Sequence, residues 1–196
     1  YKVEAGIMTG EANTQIIRGR KPGESRQLAE GFWDECYDKE EVIAPPYDLE
    51  ALASLYEINP THKACVDAKT TNIVGLGYRF VPTGAKEQSS DKNRALLEHL
   101  FSTCNPEMTF TEVMHAVWTE VETLGNGYLE LTRDSHGDID GMYHVPGATV
   151  RVRKDRQGYV QMRDGRRSDF RPLGAPPVTS PKSGDVCNEM LHFFRY

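Results

Sequence analysis

The spacing of apolar residues changes at Gly125-Asn126-Gly127, and this change restricts the chain to folds that combine helices with a sheet. Upstream, apolar residues recur every three or four positions over 110–124, which is typical of a helix with one buried face. Thr109 and Glu112 stand at capping-box spacing ahead of that run. Downstream, residues 128–132 alternate between polar and apolar, as in a half-buried strand. The sequence therefore predicts an α+β fold.

Three further helices are predicted before this junction. Asp48 offers a side-chain cap to a short amphipathic helix. Asn59-Pro60 repeats the start signal, because the missing N–H of proline costs nothing in the first helical turn, and this helix should run to about Asn72. Asp91 begins the third helix, which should end near Asn105-Pro106. We thus expect several amphipathic helices to precede the sheet.

The sheet is predicted from alternating patterns and turn residues. The expected strands are Tyr78–Val81, Tyr128–Thr132, Met142–Val145, Val150–Arg153, Tyr159–Met162 and Met190–Phe194. Asp164-Gly165 favours a two-residue hairpin turn, and the strands that follow residue 125 should form an antiparallel β-meander. The proline-rich segment 171–183 should be a loop. Because a domain rarely ends on an apolar strand, we expect the natural polypeptide to continue beyond Tyr196.

Two regions are expected along the chain, an N-terminal arm over 1–44 and an α+β domain over 45–196. The arm lacks a sustained apolar period, and its glycines and charged residues are typical of exposed linker. Phe32, Trp33 and Tyr37 interrupt it with aromatic side chains that are normally buried. They should either dock on the chain's own domain or clasp a neighbouring subunit.

Composition excludes several classes of protein. The chain has 196 residues and a net charge of −6, so it can bury a core without disulfides or a structural metal, and its surface is not built to neutralise phosphates throughout. It has no apolar run that could span a bilayer and no basic segment followed by an apolar one at the N-terminus. These features favour a chain of cytosolic type with no membrane partner.

The sequence offers little support for metal, nucleotide or cofactor binding. Four widely spaced cysteines predict reduced, mostly packed thiols, and His62 with Cys65 is the only close pair of zinc-type ligands. Gly75-Leu76-Gly77 lacks the third glycine of a dinucleotide-binding loop, and no phosphate-binding loop is present. Asp138 and Asp140 resemble part of a calcium loop without its final glutamate, and they should be solvated turn residues. We assign no catalytic, cofactor-binding or metal-ligating residue.

Two alternative functions remain open at this point. Cys65 or Cys104 could serve a small hydrolase, although a nucleophile needs a base and an orienting group, and His144 and His192 are expected to be hydrogen-bonded strand residues. The segment 151–171 holds eight basic and three acidic residues. It should form either a solvated strand face or a surface for phosphate or an acidic partner.

The second alternative function is a non-viral adaptor domain that uses this basic segment to bind an acidic partner. In that reading the strand that carries Arg151 and Arg153 binds an acidic partner, and neutralising the two arginines abolishes binding while leaving the fold intact.

The order of the motifs resembles the portal protein family of tailed double-stranded-DNA bacteriophages, in its PBSX-type branch. The most specific likeness is the segment from Leu124 to Glu130, which looks like that family's helix-to-strand junction. The other pieces follow in the same order over roughly 150 residues. They are Pro45-Pro46 with Leu49, Leu52 and Leu55; Asn59 with His62; Gly75 with Gly77; Gly137; His144-Val145-Pro146; Val150-Arg151; Gly158 to Gln161; and Glu189 to Phe193.

This resemblance implies a structural subunit and not an enzyme. A portal subunit forms a dodecameric ring at one capsid vertex, the head-tail connector, and works with terminase, capsid or scaffold protein, a head-tail adaptor and the double-stranded DNA that passes through the channel. Its location would be the virion, and the host cytoplasm during assembly. The chain looks like the wing-side portion of such a phage or prophage protein, ending before the stem, clip and crown regions.

Overall fold

The computed structural model describes residues 28–39, 41–81, 91–181 and 184–195. Its helices are α1 (Leu28–Asp38), α2 (Leu49–Ile58), α3 (Pro60–Val74), α4 (Asp91–Ser102) and α5 (Phe110–Leu124). Its strands are β1 (Asn126–Arg133), β2 (Ile139–Val145), β3 (Val150–Val152), β4 (Tyr159–Arg163), β5 (Arg166–Pro172) and β6 (Glu189–Phe194), with a 3₁₀ turn at Gly147–Thr149. The predicted α+β fold is confirmed.

The helices begin where the capping residues place them. The Asp48 side chain accepts a hydrogen bond from the backbone of Ala51 at 3.0 Å, and that of Asn59 accepts one from His62 at 3.0 Å. These bonds satisfy N–H groups that have no partner inside their own helix. The helix starts predicted at Leu49, Pro60 and Asp91 are therefore confirmed.

One six-stranded sheet follows the helices, in the order β2-β1-β6-β5-β4-β3. Neighbouring strands are antiparallel except β5 and β6, which run parallel through the pairs Arg171–Glu189 and Pro172–Met190. The predicted hairpin turn at Asp164-Gly165 is confirmed, because both residues have positive φ and Arg163 pairs with Arg166. A simple meander is wrong, since the loop after β5 returns the chain to insert β6 beside β1.

Both outer strands of the sheet are covered by other backbone segments. On β2, the Met142 N–H donates to the carbonyl of Cys104 at 2.7 Å, and the Asn105 side chain donates to the carbonyl of Met142 at 2.8 Å. On β3, residues 41–43 add a short bridge in which the Ile43 N–H donates to Val152 at 2.9 Å.

The core consists of three groups of buried side chains. The first lies between α5 and the sheet and contains Cys104, Val113, Val117, Leu129, Leu131 and Met142. The second joins α1 to β4 and contains Trp33, Cys36, Val42, Val160 and Met162. The third contains Tyr128, Val145, Val150, Phe170 and Met190. Trp33 therefore packs on the chain's own sheet. Of the two positions expected for the aromatic residues of the arm, this is docking on the chain's own domain.

The strand predicted at Tyr78–Val81 is wrong, because this segment belongs to no strand. Its alternation has another physical cause. The rings of Tyr78 and Phe80 pack on Phe101 of α4, with centroids 5.1 and 5.0 Å apart, and Tyr78 also contacts Phe110 of α5. The helices thus hold both aromatic rings in place, although Tyr78 stays 46% exposed. The rest of the predicted arm, residues 1–27 and 40, and the whole of the predicted loop 83–90 lie outside the described residues.

Candidate functional site

The turn from α5 into β1, residues 124–128, is the most specific element of the chain and is here called the junction. At the far end of α5, Thr109 and Glu112 form the predicted capping box with both reciprocal hydrogen bonds. These bonds hold the pKa of Glu112 below its ordinary value. At the junction, Gly125 takes φ 76° as the helix C-cap and donates its N–H to Val121. That left-handed conformation is open to glycine at no steric cost.

Gly127 lets β1 run directly against α5. A Cβ at this position would lie 2.5 Å from the carbonyl oxygen of Val117 and 2.9 Å from a methyl of Val121. Neither distance is compatible with an ordinary side chain. The two junction glycines therefore have different roles, since Gly125 supplies a turn and Gly127 supplies close packing.

Asn126 connects the junction to β6. A ring nitrogen of His192 lies 2.9 Å from its side-chain oxygen, and the amide of Asn126 donates to the carbonyl of Leu124 at 3.3 Å. The imidazole also stacks on Tyr128, with ring centroids 4.5 Å apart. Burial lowers the pKa of His192 to about 4 and raises the pKa of Tyr128, so both groups are held neutral near pH 7. His192 is thus a hydrogen-bonded strand residue, as predicted.

Glu120 ties α5 to the chain segment that leaves β2. Its carboxylate accepts the N–H of Gly147 at 2.8 Å and lies 3.0 Å from Nε2 of His144. That nitrogen has no hydrogen-bond partner among the described residues, so the hydrogen bond expected of His144 is not formed there. A groove of about 450 Å³ runs beside these groups, between α2, α5 and β2. Its lining includes His115 and Glu57 as well as Glu120 and His144. The arrangement positions the backbone after β2 against the helix.

A second charged cluster fastens the segment after α1 to the sheet. Arg167 of β5 donates to both carboxylate oxygens of Glu41, and it also binds Asp169 at 2.7 Å. The side chains of Arg167 and Asp169 are only 8% and 6% exposed. The hydrogen bonds that Arg167 donates to Glu41 raise the pKa of Arg167, so this arginine stays charged. The remaining oxygen of Asp169 accepts a hydrogen bond from Ser180 at 2.6 Å.

Arg151 holds α1 itself. Its guanidinium lies 4.6 Å from the ring centroid of Trp33 and donates to the Tyr37 hydroxyl at 2.9 Å. It also donates to the carbonyls of Ala148 and Val150. A cation over an indole face contributes about 0.5–2 kcal/mol, with the larger values at desolvated sites.

A third charged cluster lies at the start of β6. Glu189 is 2% exposed, and its two oxygens pair with Arg133 at 2.7 Å and Arg171 at 3.0 Å. The Gly174 N–H donates to the same carboxylate at 3.2 Å. Arg171 donates in addition to the carbonyls of Cys187 and Ala175. This cluster fixes the loop that allows β5 and β6 to run parallel.

The expected solvated face accounts for only half of the basic residues in the segment 151–171, namely the exposed Lys154, Arg156, Arg163 and Arg166. Arg151, Arg167 and Arg171 are turned toward the protein and bound to its own acids, carbonyls and rings. Arg153 is also paired, lying 4.0 Å from Glu41 and 3.5 Å from Asp155. These four arginines therefore help to hold α1, the loop after β5 and the sheet together.

The cysteines occupy different environments, and none is in a disulfide. Cys104 is fully buried, its thiol contacts the carbonyl of Met108 at 3.3 Å, and burial raises its pKa. Cys36 and Cys187 are buried as well, whereas Cys65 is exposed on α3. A buried thiol of raised pKa is a poor nucleophile. The predicted reduced, mostly packed thiols are confirmed.

No group of three or more metal-ligating side chains occurs in the described part of the chain, and His62 with Cys65 gains no further ligand there. Asp138 and Asp140 are exposed at the β1–β2 turn, where Asp134 instead accepts the backbone N–H groups of His136 and Asp138. Among the described residues, no helix is long and apolar enough to cross a membrane.

Sequence reasoning missed three acids that organise these clusters, namely Glu41, Glu120 and Glu189. Glu189 gave a usable signal, because a carboxylate that opens an apolar strand requires a buried partner. Glu41 and Glu120 gave none, since each lies among other charged or polar residues and finds its partner far along the chain.

The described residues thus define an α+β scaffold whose buried charges hold its own elements together. No family model matches the chain. It is 24% identical over 205 residues to the phage-like element PBSX protein XkdE of Bacillus subtilis (strain 168), an alignment that covers 88% of this chain and 41% of that protein. It is also 24% identical over 222 residues to the uncharacterized protein YqbA of the same strain, covering 91% and 43%. The comparisons support a phage-associated protein, and the chain spans about two fifths of the length of the curated relatives that it matches.

Proposed function

We propose that this chain is the wing-side portion of a phage portal subunit. The observation that carries the proposal is its collinear similarity to a phage-like element PBSX protein over 88% of its length. In this role the protein is structural, takes no cofactor and acts in head assembly, DNA packaging and DNA ejection. Its partners are other portal subunits in a dodecameric ring, terminase, capsid or scaffold protein, a head-tail adaptor and double-stranded DNA. It would reside in the virion, and in the host cytoplasm during assembly.

The charged clusters fit a scaffold better than the two alternatives. A hydrolase that used Cys104 would need its thiol to be accessible, whereas this residue is 0% exposed. Cys65 is exposed on α3, but no hydrogen bond joins its thiol to a base among the described residues. An adaptor that used Arg151 would have to release that side chain from Trp33 and Tyr37. A ring subunit requires rigid elements in fixed register, and buried ion pairs at Glu41 and Glu189 supply register through directional contacts.

The test is the molar mass in solution of the full natural polypeptide beside these 196 residues, by size exclusion with light scattering. A large closed ring from the longer polypeptide supports the portal proposal. A monomeric longer polypeptide over the same range of salt and protein concentration contradicts it. A double variant of the exposed residues Arg163 and Glu50, R163S/E50S, serves as a surface-charge control and leaves the mass unchanged.

A further inference from the structure

The segment Tyr78–Val81 has a free backbone beside an exposed apolar surface. No hydrogen bond joins the backbone of these four residues to other described residues, although the N–H of the preceding Gly77 donates to Val74. Backbone groups without protein partners must be solvated, or paired when a further element covers them. The segment is also held in place, because Tyr78 and Phe80 are packed on Phe101.

The side chains around this segment are unusually exposed for their type. Leu76 is 93% exposed, Val81 64% and Leu96 61%. Tyr78 and Leu97 are also exposed. We call these five residues the 76–97 surface. Leu97 lies one helical turn before Phe101 on α4, so it borders the same aromatic cluster that anchors Tyr78 and Phe80, and Leu96 precedes it in the helix. Concentrated apolar exposure of this kind marks a surface that another element covers.

We infer that the 76–97 surface is the docking site for a β-strand from the remainder of a longer polypeptide. A strand is the fitting element, because it would pair with the free N–H and C=O groups of Tyr78–Val81 while its side chains cover Val81 and Leu76. The alternating sequence of Tyr78–Val81 is that of a strand, and it lacks a partner in the described residues.

The comparisons favour the remainder of the same polypeptide as the source of the docked strand. The relatives extend over more than twice the length that this chain covers, while 88% or more of this chain lies inside each alignment. An apolar surface with open backbone needs permanent cover, and an attached segment supplies it at high effective concentration. The inference rests on the part of the proposed function that places these residues in a longer polypeptide, and it does not require a ring.

Hydrogen exchange at the amides of Tyr78–Val81 tests the inference, measured in these 196 residues and in the full natural polypeptide. We expect rapid exchange in the shorter chain and protection on the order of 100-fold greater in the longer one. Equal exchange in the two overturns the inference. Protection that appears in the shorter chain only as its concentration rises also overturns it, because the occupant is then a second copy.

A matched pair of variants identifies the surface that is responsible. Val81→Asp and Val186→Asp both replace an exposed valine, 64% and 62% exposed, and each should leave the urea unfolding midpoint of the shorter chain unchanged. In the longer polypeptide, V81D should remove the protection while V186D retains it. Protection that survives V81D overturns the inference. Protection in a longer polypeptide that stays monomeric rejects the portal proposal and leaves this inference standing.

Discussion

Replacing Gly127 with alanine tests whether the α5–β1 junction depends on close backbone packing. The added Cβ would lie 2.5 Å from the Val117 carbonyl oxygen, so the strand or the helix must move by at least about 0.5 Å to reach the 3.0 Å that real contacts respect. Overpacking of this kind costs typically about 1–3 kcal/mol. The colliding atom is a helix backbone oxygen rather than a flexible side chain, so we expect the upper end, about 3 kcal/mol.

If the contact with the Val117 carbonyl oxygen does not matter, G127A should stabilise the protein instead of destabilising it. Alanine in an unobstructed strand interior is more stable than glycine by roughly 0.5–1 kcal/mol, because glycine loses more backbone entropy on folding. Urea unfolding followed by circular dichroism measures the difference. A loss of about 3 kcal/mol corresponds to a fall of about 6–12 °C in Tm for a chain of this size.

Two further variants separate the physical causes. Gly125→Ala meets no atom within 4 Å, so it should cost only the strain of a left-handed alanine, about 1–2 kcal/mol, and G125N should cost less. Adding Val121→Ala to G127A removes a methyl at 2.9 Å but leaves the Val117 oxygen in place. We therefore expect no rescue by V121A. A neutral or stabilising G127A, or full rescue by V121A, would refute the close-packing argument.

Four other outcomes are expected. Arg167→Met should lower the free energy of unfolding by about 3 kcal/mol because it removes the guanidinium that is bonded to both Glu41 and Asp169, whereas the same change at the exposed Arg163 should cost under about 0.5 kcal/mol, as thermal unfolding can show. The pKa of His192 is about 4 in the folded protein against an ordinary 6.5, so its contribution to stability is complete above pH 6.5 and falls as pH drops through 4; His192→Gln should flatten that part of the pH–stability curve. Titration with a thiol reagent should modify Cys65 rapidly and the three buried thiols only on unfolding, and a second fast thiol would contradict the packing described. Thr109→Ala should cost about 1 kcal/mol in urea unfolding, and no loss would mean that the capping box does not stabilise α5.

Local signals in the sequence predicted the elements whose causes are local. The capping residues Asp48, Asn59 and Thr109 each start a helix where expected, because a cap and its partner lie within three residues of one another. The Asp164-Gly165 turn and the end of α5 at Gly125 were predicted for the same reason, since each needs a positive φ that few residues accept.

The features that were missed depend on partners far along the chain. The alternation of Tyr78–Val81 indicated a strand, but the pattern itself does not say whether a sheet or a pair of helices buries the aromatic residues. The insertion of β6 beside β1 and the inward-turned Arg167 follow from contacts between residues that are far apart in the sequence. Arg133 and Glu189 are 56 positions apart, and Arg167 and Glu41 are 126 positions apart. The resemblance to phage portal proteins indicated a phage association, which the comparisons support, while the portal role stays a prediction.

The covered outer strands affect how copies of this chain behave when they are close together. An exposed strand edge offers a template on which another copy of the same sheet can grow, and many β proteins aggregate by that route. Here the Cys104 carbonyl and the Asn105 side chain occupy the middle of β2, and residues 41–43 occupy β3. Copies of this chain can therefore be packed side by side at high local concentration without their sheets fusing into one another. Contacts between copies would then fall on loops and helices, where they depend on shape and sequence rather than on the generic hydrogen bonding of a bare strand.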